Sequence, residues 1–206
     1  GSVTEIGAYA FDFCYSLTEI TLPANISVIG DFTFSGLTGL ATVNIPADAQ
    51  LTQVGMSAFY KTGISQITLN EGLTFIGERA FALTKLTTIT FTEGGTASLK
   101  LNKEAFKSCS ALTTIPLPAR LDEAYEVMTT AGGLQLTNFS TLFASCSALK
   151  YVYVNDGCAK YDDIGGIFCE KDATGNIARV IFCPVKNPGA GTTKTVTIPY
   201  TVTKVD

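Results

Sequence analysis

Six cysteines, eighteen acidic residues and no histidine set the chemistry open to this chain. Without histidine, the Ser-His and Cys-His nucleophile pairs are absent. Cys14, Cys109, Cys146, Cys158, Cys169 and Cys183 never fall closer than 11 positions apart. Zinc sites bring cysteines together in close pairs, often with histidine, so the spacing argues against zinc. Cys14, Cys109 and Cys146 share one repeat position and read as small buried hydrophobes. Cys169 with Cys183 or Cys158 is the first pair to examine for a disulfide. The densest acids are Asp162-Asp163 and Glu170 with Asp172. Paired carboxylates can do acid–base work, but these lie in a glycine-rich turn region and read as solvated. Asn155-Asp156-Gly157 lacks the further carboxylates of a calcium loop. Gly94-Gly95 and Gly132-Gly133 lack the Lys-Ser/Thr of a phosphate loop. These residues predict no enzyme, no metal and no cofactor.

The tyrosines are better candidates. Tyr151 and Tyr153 alternate with Val152 and Val154, the period-two pattern of a strand buried on one face. The same pattern gives an inward column at Ile20, Val43, Ile67, Ile89, Ile115 and Val152. A second runs through Leu22, Ile45, Leu69, Phe91, Leu117 and Val154. Side chains between them must point the other way. One outward ladder is then Glu19, Thr42, Gln66, Thr88, Thr114 and Tyr151. The next is Thr21, Asn44, Thr68, Thr90, Pro116 and Tyr153. Taking Ile181 and Cys183 as inward turns Val180 and Phe182 outward. The expected binding patch is therefore Thr114, Tyr151, Tyr153, Val180 and Phe182. Grouped exposed aromatics mark interfaces, and tyrosine rings also stack on sugars. Two structural readings stand beside this one. The excess residues after Pro118 could fold over the patch, or threonine and tyrosine could be there only as strand formers.

The elements that position these residues come from an internal repeat, the signature of a solenoid. A phenylalanine column runs through Phe11, Phe34, Phe59, Phe81, Phe106 and Phe143, with a looser echo at Phe168. Four positions earlier stand Gly7, Gly30, Gly55, Gly77 and Asn102. Both residue types tolerate positive φ, which predicts a tight corner. The small-Phe-x-x-small stretch predicts one short helical or 3₁₀ turn per repeat. Apolar pairs such as Ile26 and Ile29 or Leu73 and Ile76 predict a second short strand.

Ile6-Gly7 through Ala10-Phe11 and Cys14, followed by Leu17-Thr18 through Leu22-Pro23, resembles the BspA-like class of leucine-rich repeats. So do the variant units Gly166-Ile167-Phe168, Lys171-Asp172 and Ile198-Pro199. The resemblance implies an extracellular or cell-surface bacterial protein, non-enzymatic, that interacts with other molecules. It supplies no catalytic set.

The expected fold is a right-handed α/β, β-rich solenoid with gentle curvature. Eight parallel main-sheet strands are expected, near 17–22, 40–45, 64–69, 86–91, 112–117, 149–154, 179–183 and 195–198. At about 4.8 Å per step they would make a sheet roughly 34 Å long. Regular repeats cover 3–118, an insertion 119–136, a degenerate repeat 137–154 and variant repeats 155–206. The insertion could be a functional loop or a plain excursion with a short helix. Gly1-Ser2 looks like a cloning scar, and matching repeat phase at both ends suggests a piece of a longer array.

Hydrophobic residues make up 46% of the chain and charged ones 16%, which excludes a disordered polymer. No apolar run is long enough to span a bilayer. The net charge of -4 argues against nucleic acid, which wants a basic stripe. The expected partner is a host or bacterial surface protein. A glycan partner, and a spacer role with no partner, are the alternatives.

Overall fold

The computed structural model describes residues 3–124, 127–129, 135–137, 141–184 and 204–205. Its first part is a solenoid of short strands: β1 (Glu5–Ile6), β2 (Glu19–Thr21), β3 (Val28–Ile29), β4 (Thr42–Asn44), β5 (Gln53–Val54), β6 (Gln66–Leu69), β7 (Phe75–Ile76), β8 (Thr88–Phe91), β9 (Leu99–Leu101), β10 (Thr114–Leu117) and β11 (Leu121–Ala124). The odd-numbered strands form one parallel six-stranded sheet. The even-numbered strands form the main face. Further on come β12 (Val127–Thr129), β13 (Gln135–Thr137), β14 (Tyr151–Val154), β15 (Tyr161–Ile164), β16 (Ile167–Lys171), β17 (Ile177–Phe182) and β18 (Lys204–Val205).

The inward columns are the core. Ile67, Leu69, Ile89, Ile115, Leu117 and Val152 are buried together with Ile29, Val54 and Ile76 of the second sheet. Between them runs a stack of phenylalanines. Ring centroids step 4.9 Å from Phe11 to Phe34, 5.2 Å to Phe59, 5.2 Å to Phe81, 5.6 Å to Phe106 and 6.1 Å to Phe143. The next ring is Phe182 rather than Phe168, tilted by 49° at 5.5 Å. Phe168 pairs instead with Tyr161 at 5.2 Å.

The phenylalanine segments are not helical. The first five are runs of β-turns in which alternate N–H groups take different partners. In the third coil, Ala58, Tyr60 and Thr62 donate back to Gly55, Ser57 and Phe59. Ser57, Phe59 and Lys61 donate forward to Glu78, Ala80 and Ala82 of the next coil at 2.8, 2.8 and 3.0 Å. A helix would consume every donor internally and leave the coils joined by side chains alone. The alternation forces left-handed backbone two residues either side of each of the first five phenylalanines. Tyr9 and Phe13, Ser57 and Lys61, Arg79 and Leu83, and Glu104 and Ser108 all have φ between 52° and 62°. Each such residue costs roughly 1 kcal/mol. One buried, stacked phenylalanine contributes about 2–3 kcal/mol, and the coil-to-coil hydrogen bonds add to that.

The glycine column has a different cause from the expected corner. Gly30, Gly55 and Gly77 have ordinary φ, and a Cβ there would come within 2.5–2.6 Å of the preceding coil. They are glycine because stacked backbones nearly touch.

The main face differs from the eight expected strands. Among the described residues it holds six, paired as β2–β4, β6–β8 and β10–β14. Five steps give a face about 24 Å long. The stretch 179–183 falls mostly in β17, which pairs antiparallel with β16 and lies in a separate sheet of order β15-β16-β17-β18. The strand expected at 195–198 lies outside the described residues.

The division into three pairs follows from chain length. From the phenylalanine to the strand column is nine positions in the first two coils, Phe11 to Ile20 and Phe34 to Val43. It is eight in the next two, Phe59 to Ile67 and Phe81 to Ile89. It returns to nine for Phe106 to Ile115 and Phe143 to Val152. The longer links close an extra turn, with Leu17, Leu40, Leu112 and Leu149 donating to Cys14, Leu37, Cys109 and Cys146. At the matching place in the shorter links, Thr62 and Thr84 donate through Oγ1 to Phe59 and Phe81. Coils with equal links pair and coils with unequal links do not. Pro116 reinforces the second break, because it has no N–H for a ladder to β8.

The described residues of the insertion are mostly strand. β11 adds to β9 as the last strand of the second sheet, and β12 pairs antiparallel with β13. The expected short helix is absent from its described residues. Cys14, expected to be buried like Cys109 and Cys146, is exposed on the first coil.

Two predictions follow from this packing. Phe81→Ala should lower unfolding free energy by about 3–5 kcal/mol in urea titration, whereas Tyr9→Ala, which removes an exposed stacked ring, should cost under about 1 kcal/mol. Inserting one residue between Thr62 and Ile64 and one between Thr84 and Leu86 should equalise the links. A crystal structure of that variant should show β4 and β6 joined by ladder hydrogen bonds.

Candidate binding face

The outward ladders of the main face lie where the alternation places them. Thr42, Asn44, Gln66, Thr68, Thr88 and Thr90 are exposed. At the far end, β10 and β14 pair in register, Thr114 opposite Tyr151 and Pro116 opposite Tyr153. The two tyrosine rings stack at 5.5 Å with 16° between planes. Tyr153 is 41% exposed, while Tyr151, Thr114 and Pro116 are half-buried.

The support beneath the tyrosines comes from the β15–β16 hairpin. Gly166 has φ of 85°, and a Cβ there would stand 2.5 Å from the Tyr151 ring. Its carbonyl accepts the Val152 N–H at 2.9 Å. The Asp163 carboxylate accepts the Val154 N–H and the Gly166 N–H, both at 3.0 Å. The hairpin therefore satisfies the outer edge of β14 and seats Tyr151.

Val180 and Phe182 do not join the patch, which corrects the expected alternation. Val180 is 8% exposed and buried with Ile167 and Cys169. Phe182 packs against the core on Phe143, while Cys183 is exposed. The reason is topological: β17 pairs antiparallel with β16 in a separate sheet, so the inside-outside order of the coils does not carry through to it.

The acids that read as solvated have structural partners. Asp163 holds β14, and Glu170 pairs with Arg179 at 2.7 Å. Asp172 accepts from Thr174 and Asn176 in a turn, and its carboxyl lies below the usual range chiefly through the Thr174 hydroxyl. Asp122 is likewise held down, first by its hydrogen bond from Lys160. Buried thiols have structural roles too. Cys109 and Cys146 donate to the Phe81 and Phe106 carbonyls. Cys169 is pushed up to about 12, by burial first and then by the Asp162 charge. Among the described residues no cluster of three or more acids or cysteines could hold a metal ion.

Two surface features are new with the structure. A groove of about 400 Å³ opens on the main face and is lined by Ala41–Ile45, Ser65–Thr68, Thr88 and Thr90. It sits at the break between β4 and β6, so the change from nine-residue to eight-residue links was its signal in the sequence. The turn face exposes Tyr9, Phe13, Tyr15, Met56 and Leu83. Of these, Tyr9, Phe13 and Leu83 stand at left-handed positions, which reading the segment as helix concealed.

Asp163→Ala should strand two N–H donors. We expect a loss of about 1–3 kcal/mol in chemical denaturation, with Asp163→Asn losing less because it keeps an acceptor.

Comparison with known proteins accords with this architecture. The chain is similar to the pneumococcal vaccine antigen PcpA at 25% identity, with a TM-score of 0.73 over 89% of this chain and 43% of that one. It shares its fold with a leucine-rich cell surface protein of Faecalibacterium prausnitzii, 22% identical, with a TM-score of 0.59 over 90% of this chain and 51% of that one. A leucine-rich repeat protein of Bacteroides ovatus shares it too, 21% identical, with a TM-score of 0.51 over 98% of this chain and 49% of that one. The chain thus spans about half the length of these proteins or less. No curated protein matches it. Among the described residues no helix is long and apolar enough to cross a membrane. The family model for the BspA-type leucine-rich repeat region matches residues 4–128 in six copies, a stretch that holds all six strands of the second sheet, and the chain belongs to that family.

Proposed function

We propose that this chain is a non-enzymatic binding module at a bacterial cell surface, and that it engages a host or bacterial surface protein through the main face. The observation that carries the reading is the tyrosine pair. Tyr153 presents an exposed ring on a rigid parallel strand, stacked on Tyr151, which Gly166 supports from below. Tyrosine gives large contact area at low entropic cost and recurs among interface hot spots. Thr114 and Pro116 border the pair through their register with β14. The similar pneumococcal vaccine antigen and leucine-rich cell surface protein support a surface setting.

The test is affinity capture of surface proteins from host epithelial cells and from neighbouring bacteria, followed by surface plasmon resonance on the purified partner. Tyr151→Ala/Tyr153→Ala should weaken binding by roughly 30-fold or more. Tyr9→Ala/Phe13→Ala, on the turn face, should change it less than about threefold. The opposite ranking would move the interface to the turns, and a chain that captures nothing would be a spacer.

A further inference from the structure

We propose that the groove between β4 and β6 binds a neutral oligosaccharide. Its site is separate from the tyrosine pair, and the proposal does not rest on the protein-binding role.

The groove exists because coils two and three are out of phase. Among the described residues no ladder joins β4 to β6. In paired coils the Thr42 N–H donates to Thr18 and the Thr88 N–H to Ser65. The same register turns the N–H groups of Gln66 and Thr68 and the carbonyls of Ala41 and Val43 into the gap. Strand edges of this kind offer fixed donors and acceptors. Hydroxyl and amide side chains of Thr42, Asn44, Gln66 and Thr68 surround them. Asn44 is already oriented, its Nδ2 donating to Glu19 at 2.9 Å and to Thr21 at 3.2 Å. The volume of about 400 Å³ lies within the few hundred Å³ typical of small-molecule sites.

The chemistry of the lining selects the occupant. No charged side chain lines the groove, and Glu19 at its margin carries a negative charge. An anionic ligand would lose hydration there without a counter-charge. A lipid would need a mainly apolar lining. An added peptide strand would need about 9.6 Å between β4 and β6, two strand spacings. Residues of β4 and β6 already lie within 8 Å of one another, Cα to Cα, so no strand can enter. A neutral sugar chain lying across the gap meets all three conditions. Its hydroxyls reach the strand edges and the side-chain amides, while its C–H faces rest on the methyl groups of the exposed Thr68 and Thr90.

The test is isothermal titration of the chain with maltohexaose, cellohexaose and mannohexaose, with hexagalacturonate as the anionic control. At least one neutral probe should bind with a dissociation constant of about 1 mM or tighter, and hexagalacturonate at least tenfold more weakly. Asn44→Ala/Gln66→Ala should weaken the neutral probe tenfold or more, and the link-equalised variant should do the same. Tyr151→Ala/Tyr153→Ala should leave it within twofold, whether or not protein binding is lost. Failure of all three neutral probes at roughly 10 mM would overturn the proposal. So would equal binding of the anionic probe, or full binding by the Asn44/Gln66 variant.

Discussion

The fold depends on coil-to-coil stacking along the phenylalanine column. Each ring lies 4.9–6.1 Å from the next, and alternate N–H groups of the same segment reach across to the neighbouring coil. The two interactions enforce one spacing. That spacing pushes Gly30, Gly55 and Gly77 into near contact with the coil before. It also obliges bulky residues such as Tyr9 and Leu83 to adopt left-handed backbone. In a solenoid, stability is roughly the sum of such neighbour terms, so the column is where the molecule is held together.

With the turn face locked, the main face becomes the adjustable side. A link one residue shorter displaces the strand without disturbing the rings. The link shortens after the second coil and lengthens again after the fourth. The face consequently divides into three pairs of strands. The first division opens the groove at Asn44 and Gln66, and the last pair carries Tyr151 and Tyr153. Variation that the scaffold tolerates thus shapes the main face.

Much of this was legible in residue types alone. Period-two alternation placed Ile67 inside and Gln66 outside, and it placed Tyr153 on the open face. Recurrence of phenylalanine marked the column that stacks. What was not legible follows from how backbone donors are shared. A helix and a run of alternating turns both fit small-Phe-x-x-small, and only the partners of Phe59 and Lys61 distinguish them. Val180 and Phe182 were misplaced because an antiparallel hairpin interrupts the coil order, and alternation cannot reveal which sheet a strand joins. The links were visible as counts, but their meaning emerges only once the coils are stacked.

Residue-resolved amide hydrogen exchange on the native chain tests the central claim most directly, that the turn face is continuous while the main face is broken at β4 and β6. Donors that cross between coils on the turn face, those of Phe34, Phe59 and Phe81, should exchange slowly and at similar rates. The amides of Gln66 and Thr68 should exchange at least a hundredfold faster, and faster than that of Thr88. Equal protection at Gln66, Thr68 and Thr88 would mean an unbroken main sheet and would contradict the account.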